Sequence, residues 1–337
     1  MKPWRWLHGL LGLTLAGLLA WGGWVEYREL SELAPVNPAE VVDEVVAQLQ
    51  QRALNAAKVD WPQARRTALE TASSGRRRDL DLALDRLVRG LEDGHSFYLP
   101  VRSAVPMLAS SASAEPQPLA RLEAPVRGVS RLAVDAFSSL DAEQVRKAAA
   151  ALRALALTLR RDATCGWLLD LTRNRGGNMF PMLQGLSPWL PEGDWLQFED
   201  ASGARVSLRR GADGIWLGAQ RVSEPVADDA WPQGLPPRRV AVLLGAETAS
   251  SGEMVALAFK ALPHVLFFGR ATAGLTSGNE LLPLRNGGLI AMTTTRAVDR
   301  AGHVHHGSIA PDQAFGDDEA AALAAAAWVV QGCSPGG

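Results

Sequence analysis

The sequence predicts an α/β fold with antiparallel additions, and three patterns carry that expectation. Short apolar runs at 166–171, 239–244 and 265–268 read as buried strands, and the first two each lead through a turn into a helical stretch. Residues 195–222 alternate apolar and polar around glycines, as β-hairpins do. Ahead of every strand, residues 36–92 carry apolar stripes at helical spacing.

Composition bounds the function. The chain has 337 residues, 47% apolar and 21% charged, a globular balance with enough length for one large domain or two smaller ones. Net charge is −2, with no basic stripe for nucleic acid and no acidic tail. The two cysteines, Cys165 and Cys333, form no CxxC pair. The expectation is two unrelated buried thiols; one disulfide between them would need an oxidising compartment.

At the N-terminus, Lys2 and Arg5 precede an apolar run from Leu7 to Val25 that stops at Glu26. A basic start followed by such a run is the layout of a secretory signal. The run is longer than a usual signal core and near the lower limit for spanning a bilayer. Trp4, Trp6, Trp21 and Trp24 flank it where interfacial aromatics settle. The expectation is an uncleaved anchor over residues 1–30, making the membrane a partner and the protein single-pass in the inner membrane, with its soluble part in the periplasm or outside the cell. Secretion after signal cleavage is the alternative.

The elements follow in order. Val41, Val42, Val45, Val46 and Leu49 form one stripe, and Leu80, Leu82, Leu84, Leu87, Val88 and Leu91 another, within an N-terminal helical region over 31–99. Residues 100–125, rich in Ser, Ala and Pro, read as a linker. The region 126–337 then holds a strand at 129–137, an Ala-Leu-Arg helix at 142–160, the three buried strands with their helices, strands at 281–284 and 288–295, and a closing helix at 317–331.

Three segments could carry chemistry. In Thr248-Ala249-Ser250-Ser251-Gly252-Glu253, a serine sits between a buried strand and a helix. Free N–H groups at that helix end favour developing negative charge; a plain Ser N-cap has the same pattern. In Asp170-Leu171-Thr172-Arg173-Asn174-Arg175-Gly176-Gly177-Asn178, a strand ends in a turn whose glycines can bring N–H groups close to a ligand. The turn lacks the Lys of a P-loop. In Glu92-Asp93-Gly94-His95-Ser96, a loop histidine is placed to act as a base near neutral pH, or to cap. The late trio His303, His305 and His306 lacks a matching carboxylate pattern, so neither a metal nor any other cofactor is expected.

Taken in order, these segments resemble the tail-specific (C-terminal-processing) serine peptidase family, which includes the tricorn cores. "DLTRNRGG" resembles its Gly-Gly turn, "TASSGE" its nucleophile turn, "GRATAGLTSGNELLPLRNGGLIAMTTT" the loop and hairpin that follow, and "GSIAPD" its closing motif. The resemblance spans about Leu91 to Asp312 and implies a crotonase-like core, a peptide or protein substrate, and an endopeptidase working through an acyl-enzyme. It places the nucleophile on Ser250, with Ser251 the rival. The oxyanion donors fall on the amides of Gly176 or Gly177 together with Ser251. Where Ser-Lys members of the family carry their lysine, this chain has Leu275, so the resemblance moves the base to His95, as in the branch with an Asp-x-His loop. Asp93, Asn279 and Glu280 are its candidate orienting groups. The stretch after His95 is too short for the PDZ domain of many relatives. A member of the same fold that binds peptides without cleaving them is the competing reading.

Overall fold

The structure is a computed structural model that describes residues 36–104, 118–162, 165–211, 214–223 and 238–333. It divides into two units. The first comprises the chain through Ala114 together with Asp200–Ala204 and Ser277–Thr295; the second comprises Glu115–Glu199, Arg205–Thr276 and Arg296 onward.

In the first unit, two helices start where local chemistry starts them, and a third follows. Asn37 caps α1 (Pro38–Arg52) by accepting the Ala39 N–H, and Pro38 supplies a preset φ at the first turn. Asp60 caps α2 (Trp61–Ala72) through the Gln63 N–H. In α3 (Arg77–Arg89), Leu80, Ala83, Leu84, Leu87 and Val88 form the buried face. Leu82, expected in that stripe, is instead 42% exposed, because it lies off the 3.6-residue period of its neighbours. These faces share one core with Tyr98, Leu284, Ile290 and Met292. Tyr98 lies on β1 (Phe97–Leu99), which pairs antiparallel with the start of a later strand at Leu289–Ala291.

In the second unit, β2 (Ala120–Val126) and β3 (Val129–Val134) form an antiparallel pair. The long helix α4 (Ala142–Asp162) follows, then β4 (Gly166–Asp170) and α5 (Met179–Leu186). An antiparallel meander comes next: β5 (Gly193–Asp200), β6 (Arg205–Gly211), β7 (Gly214–Leu217) and β8 (Gln220–Arg221). Then come β9 (Arg239–Leu244), α6 (Ser251–Phe259) and β10 (Val265–Gly269). The hairpin β11 (Ser277–Pro283) and β12 (Leu289–Val298) returns the chain to the first unit as far as Thr295. The second unit closes with β13 (Gln313–Ala314) and α7 (Asp318–Gln331), capped by Asp317.

Six of these strands form one sheet in the order β13-β10-β9-β4-β3-β2, parallel except for β2. The central strands are apolar on both faces. Trp167, Leu169, Val240, Val242 and Leu244 pack on the side of α4, α5 and α6, while Leu168, Ala241, Leu243 and Phe268 pack under α7. A sheet covered on both sides reads as continuous apolar runs, which is why these strands stood out in the sequence. β2, expected as linker as far as residue 125, is an edge strand, interrupted by Pro125 and a register shift, with no buried side chain along it.

Two expectations are corrected here. The cysteines are not unrelated thiols: Cys165, just before β4, and Cys333, just after α7, are joined by a disulfide that closes a separation of 168 residues. Such bonds persist in oxidising compartments. Cys333→Ser is expected to lower stability by about 2–5 kcal/mol, read as a shift of the denaturant midpoint that reducing agent reproduces in the wild type and not in the variant. As for the single-pass anchor, no helix among the described residues is long and apolar enough to cross a membrane, and the run from Leu7 to Val25 lies outside the described residues.

Candidate active site

Each unit contains one cluster of the expected residues. In the second unit, the turn after β4 is built around Asn174, which is fully buried. Its Nδ2 donates to the carbonyls of Val134 (3.1 Å) and Asp135 (3.2 Å), its Oδ1 accepts the Gly176 N–H (3.0 Å), and its carbonyl accepts the Ala249 N–H (2.9 Å). One residue, through its side chain and its carbonyl, thus joins the end of β3, the glycine turn and the serine turn. Thr248 adds a second tie, donating from Oγ1 to the Leu171 carbonyl at 2.8 Å.

Gly176 and Gly177 have φ of +97° and +109°. A Cβ on Gly176 would lie 2.8 Å from Cβ of Ser250, and one on Gly177 would lie 2.2 Å from the Phe137 carbonyl oxygen. Both positions therefore require glycine, and the first sets bare backbone directly against the serine. Ser250 itself has φ 50° and ψ −116°, a conformation rare outside glycine. Strain of this kind costs on the order of 1–3 kcal/mol and persists only where the surroundings enforce it. It is also the signature of a sharp strand-to-helix turn that lifts a serine hydroxyl clear of the backbone.

The enforcing group is Glu253, fully buried one turn into α6. Its Oε2 accepts the N–H of Ser250 (2.9 Å) and of Leu275 (2.8 Å); its Oε1 accepts the N–H of Gly274 (2.9 Å) and the Thr272 hydroxyl (2.5 Å). Burial pushes this carboxyl above its ordinary value, and the four donors oppose that rise. Ser251, the rival nucleophile, donates its hydroxyl to the Gly177 carbonyl at 2.6 Å, a structural bond. Of the expected oxyanion donors, the Gly176 amide is taken by Asn174, so it is not available to a substrate. The amides of Gly177 and Ser251 have no acceptor among the described residues.

In the first unit, Asp93 folds the histidine loop on itself. Its carboxylate accepts the N–H of His95 (2.9 Å) and Ser96 (2.7 Å) and the Ser96 hydroxyl (2.6 Å). Asn279 of β11 donates to the His95 carbonyl (3.0 Å) and accepts from Thr293 of β12 (2.8 Å). Glu280 is engaged by Arg52 of α1 and by Thr294. The expected orienting groups therefore hold the loop and the hairpin, while the side chain at Nδ1 of the ring is one the sequence did not single out: Ser277 Oγ lies 2.7 Å away. His95 is 8% exposed, and burial pushes its pKa below the ordinary imidazole value, with Asp93 pulling the other way.

The late histidines meet a carboxylate after all: His305 Nε2 is 2.9 Å from Asp299 Oδ2. Among the described residues, however, no group of three or more His, Cys, Asp or Glu is placed to hold a metal ion.

A strained serine turn, buttressed by a buried glutamate, thus faces the double-glycine turn. The family model for peptidase family S41 matches residues 129–315. The chain belongs to peptidase family S41, a family of serine peptidases acting on peptides and proteins. Its relatives include the nisin-resistance protein of Lactococcus lactis subsp. lactis, 26% identical over 315 residues that make up 91% of each chain. Among solved structures, a lipoprotein from Streptococcus agalactiae is 24% identical with a TM-score of 0.73, covering 89% of this chain and 98% of that one. The photosystem II D1 C-terminal processing protease shares the S41 fold at 15% identity and a TM-score of 0.56, over 83% and 93% of the two chains. With a relative described as a lipoprotein and no membrane-crossing helix among the described residues, the single-pass inner-membrane localisation and the membrane partnership through an N-terminal helix are withdrawn.

Proposed function

We propose that this S41 member cleaves peptide bonds through an acyl-enzyme, with Ser250 as nucleophile, His95 as general base and a crotonase-like core as scaffold. The observation that carries the proposal is the backbone of Ser250, strained at φ 50°, fixed by Glu253 and faced by Gly176. A hydroxyl is a weak nucleophile until a neighbour takes its proton. His95 Nε2 takes that proton as Ser250 Oγ bonds to the scissile carbonyl carbon, and the carbonyl π pair moves to oxygen. The amides of Gly177 and Ser251 are the donors for that oxyanion; one such donor is worth on the order of 10²–10³ in rate. Collapse breaks the C–N bond, and the leaving amine takes the proton from His95. Water then repeats the sequence on the acyl-enzyme and releases Ser250.

Within the peptide class, the nisin-resistance relative makes nisin a rational first substrate to assay. A tail-specific mode, acting near substrate C-termini, is the finer reading that the resemblance supports.

The test is labelling of the purified chain with a fluorophosphonate, followed by mapping of the modified residue. Modification is expected on Ser250. The labelling rate should fall as pH drops, because protonation removes the base; since burial depresses the His95 pKa, the fall should lie below about 6.5, the ordinary value. A chain that binds peptides yet takes no label is a binding member of the family, and a rate constant from about pH 4 to 8 removes His95 as the base.

A further inference from the structure

We infer that Ser277 is a positioning residue: its hydroxyl accepts the Nδ1 proton of His95 and so holds the tautomer whose Nε2 carries no proton and can act as base. The inference rests on the proposed role of His95 and adds the group through which the fold aims the ring.

Ser277 Oγ lies 2.7 Å from His95 Nδ1, within the range of a strong hydrogen bond, and is the first residue of β11. A neutral imidazole carries one proton, and a hydroxyl can meet either tautomer; a ring that takes the Ser250 proton on Nε2 must hold its own proton on Nδ1, which makes Ser277 the acceptor in the proposed role. The strand that bears Ser277 is held from several sides within the same unit. Asn279 binds both the His95 carbonyl and Thr293, the Leu54 amide donates to the Thr293 carbonyl at 2.9 Å, and Arg52 engages Glu280. At the far end of the hairpin, Arg285 pairs with Glu44 at 2.6 Å, and Asn286 donates to the Tyr98 hydroxyl at 3.1 Å. Helices and hairpin together make a rigid seat for one hydroxyl.

A hydroxyl at this place is chemically different from a carboxylate. It fixes the tautomer without giving the imidazolium a counter-charge, so the ring stays a weak base and remains neutral into mildly acidic pH. Burial of His95 acts in the same direction. The charged groups on the loop and strand around the ring are Glu92, which is exposed, Asp93, whose carboxylate is bonded to the loop amides and Ser96, and Glu280, which is bonded to Arg52 and Thr294. None is the group on Nδ1.

The experiment measures fluorophosphonate inactivation of the full chain against pH for wild type, Ser277→Ala, Ser277→Thr, Ser277→Asp and His95→Ala, with thermal melts for each. Ser277→Ala is expected to slow inactivation on the order of 10- to 100-fold at unchanged melting temperature. Ser277→Thr, which keeps the hydroxyl, should recover to within about threefold of wild type. Ser277→Asp should move the acid limb up by about one pH unit, since a carboxylate favours the charged ring. The Asp and Thr variants keep the question open to refutation if the Ala variant folds poorly, and a packing role alone would not move the limb. If His95→Ala is inert while Ser277→Ala matches wild type, or if Ser277→Asp leaves the limb in place, this inference falls and the base assignment stands. If His95→Ala labels at the wild-type rate, both fall.

Discussion

Ser250→Ala is expected to abolish fluorophosphonate labelling and to lower peptide hydrolysis on the order of 10⁴- to 10⁶-fold, whereas Ser251→Ala retains both at measurable levels. The two hydroxyls are adjacent in sequence, but their surroundings differ. Ser250 stands at the strained junction of β9 and α6, and Ser251 has committed its hydroxyl to the Gly177 carbonyl at 2.6 Å. Removing the Ser251 bond loosens the glycine turn, so a partial loss of rate is expected there through the placement of the oxyanion donors. Kinetics on one peptide substrate, with active-site titration to correct for misfolded enzyme, separates the two. Labelling lost in Ser251→Ala and kept in Ser250→Ala would reverse the assignment.

Glu253→Ala is expected to cost about 3–5 kcal/mol of stability and to bring activity down with it. The carboxylate answers four donors at once: the amides of Ser250, Gly274 and Leu275 and the Thr272 hydroxyl. Deleting it leaves those donors without their acceptor in a buried site, at about 1–3 kcal/mol for each that water cannot reach, and opens a cavity beside them. The serine turn loses the tie that holds its strained φ, so residual folded protein should show a lower kcat at nearly unchanged KM. Denaturant unfolding with activity assays on the folded fraction checks both parts. A variant as stable and as active as wild type would show that the strain at Ser250 is enforced elsewhere.

The parts of this protein that were legible in the sequence are those whose cause is local. β4 and β9 were visible because both of their faces are buried, and the Ser250 turn because a strand, a serine and a helix start follow one another directly. Glu253 was half visible: Ser-x-x-Glu is the pattern of a capping box, yet nothing near it in sequence shows that Thr272, Gly274 and Leu275 converge on the same carboxylate. The partner of the His95 ring was hidden for the same reason. Ser277 is 182 residues away, and a lone serine opening a polar strand carries no distinguishing mark. Asp93 and Asn279 have the chemistry to orient a ring, and sequence cannot tell that they spend it on backbone amides and carbonyls. The disulfide, closing a separation of 168 residues, is equally invisible without a fold.

The long span between His95 and its brace has a consequence for the newborn chain. The histidine loop is made early, but Ser277, Asn279 and the strand carrying Thr293 leave the ribosome only when most of the polypeptide has been synthesised. Contacts of such high sequence separation form late, after the loop-closure entropy has been met. On the proposed roles of His95 and Ser277, a truncated or still-growing chain holds the histidine without its brace, and hydrolytic competence would arrive only with near-complete translation. On that proposal, the wiring that aims the ring is also a timer, keeping a peptidase silent while it is itself an unfolded peptide.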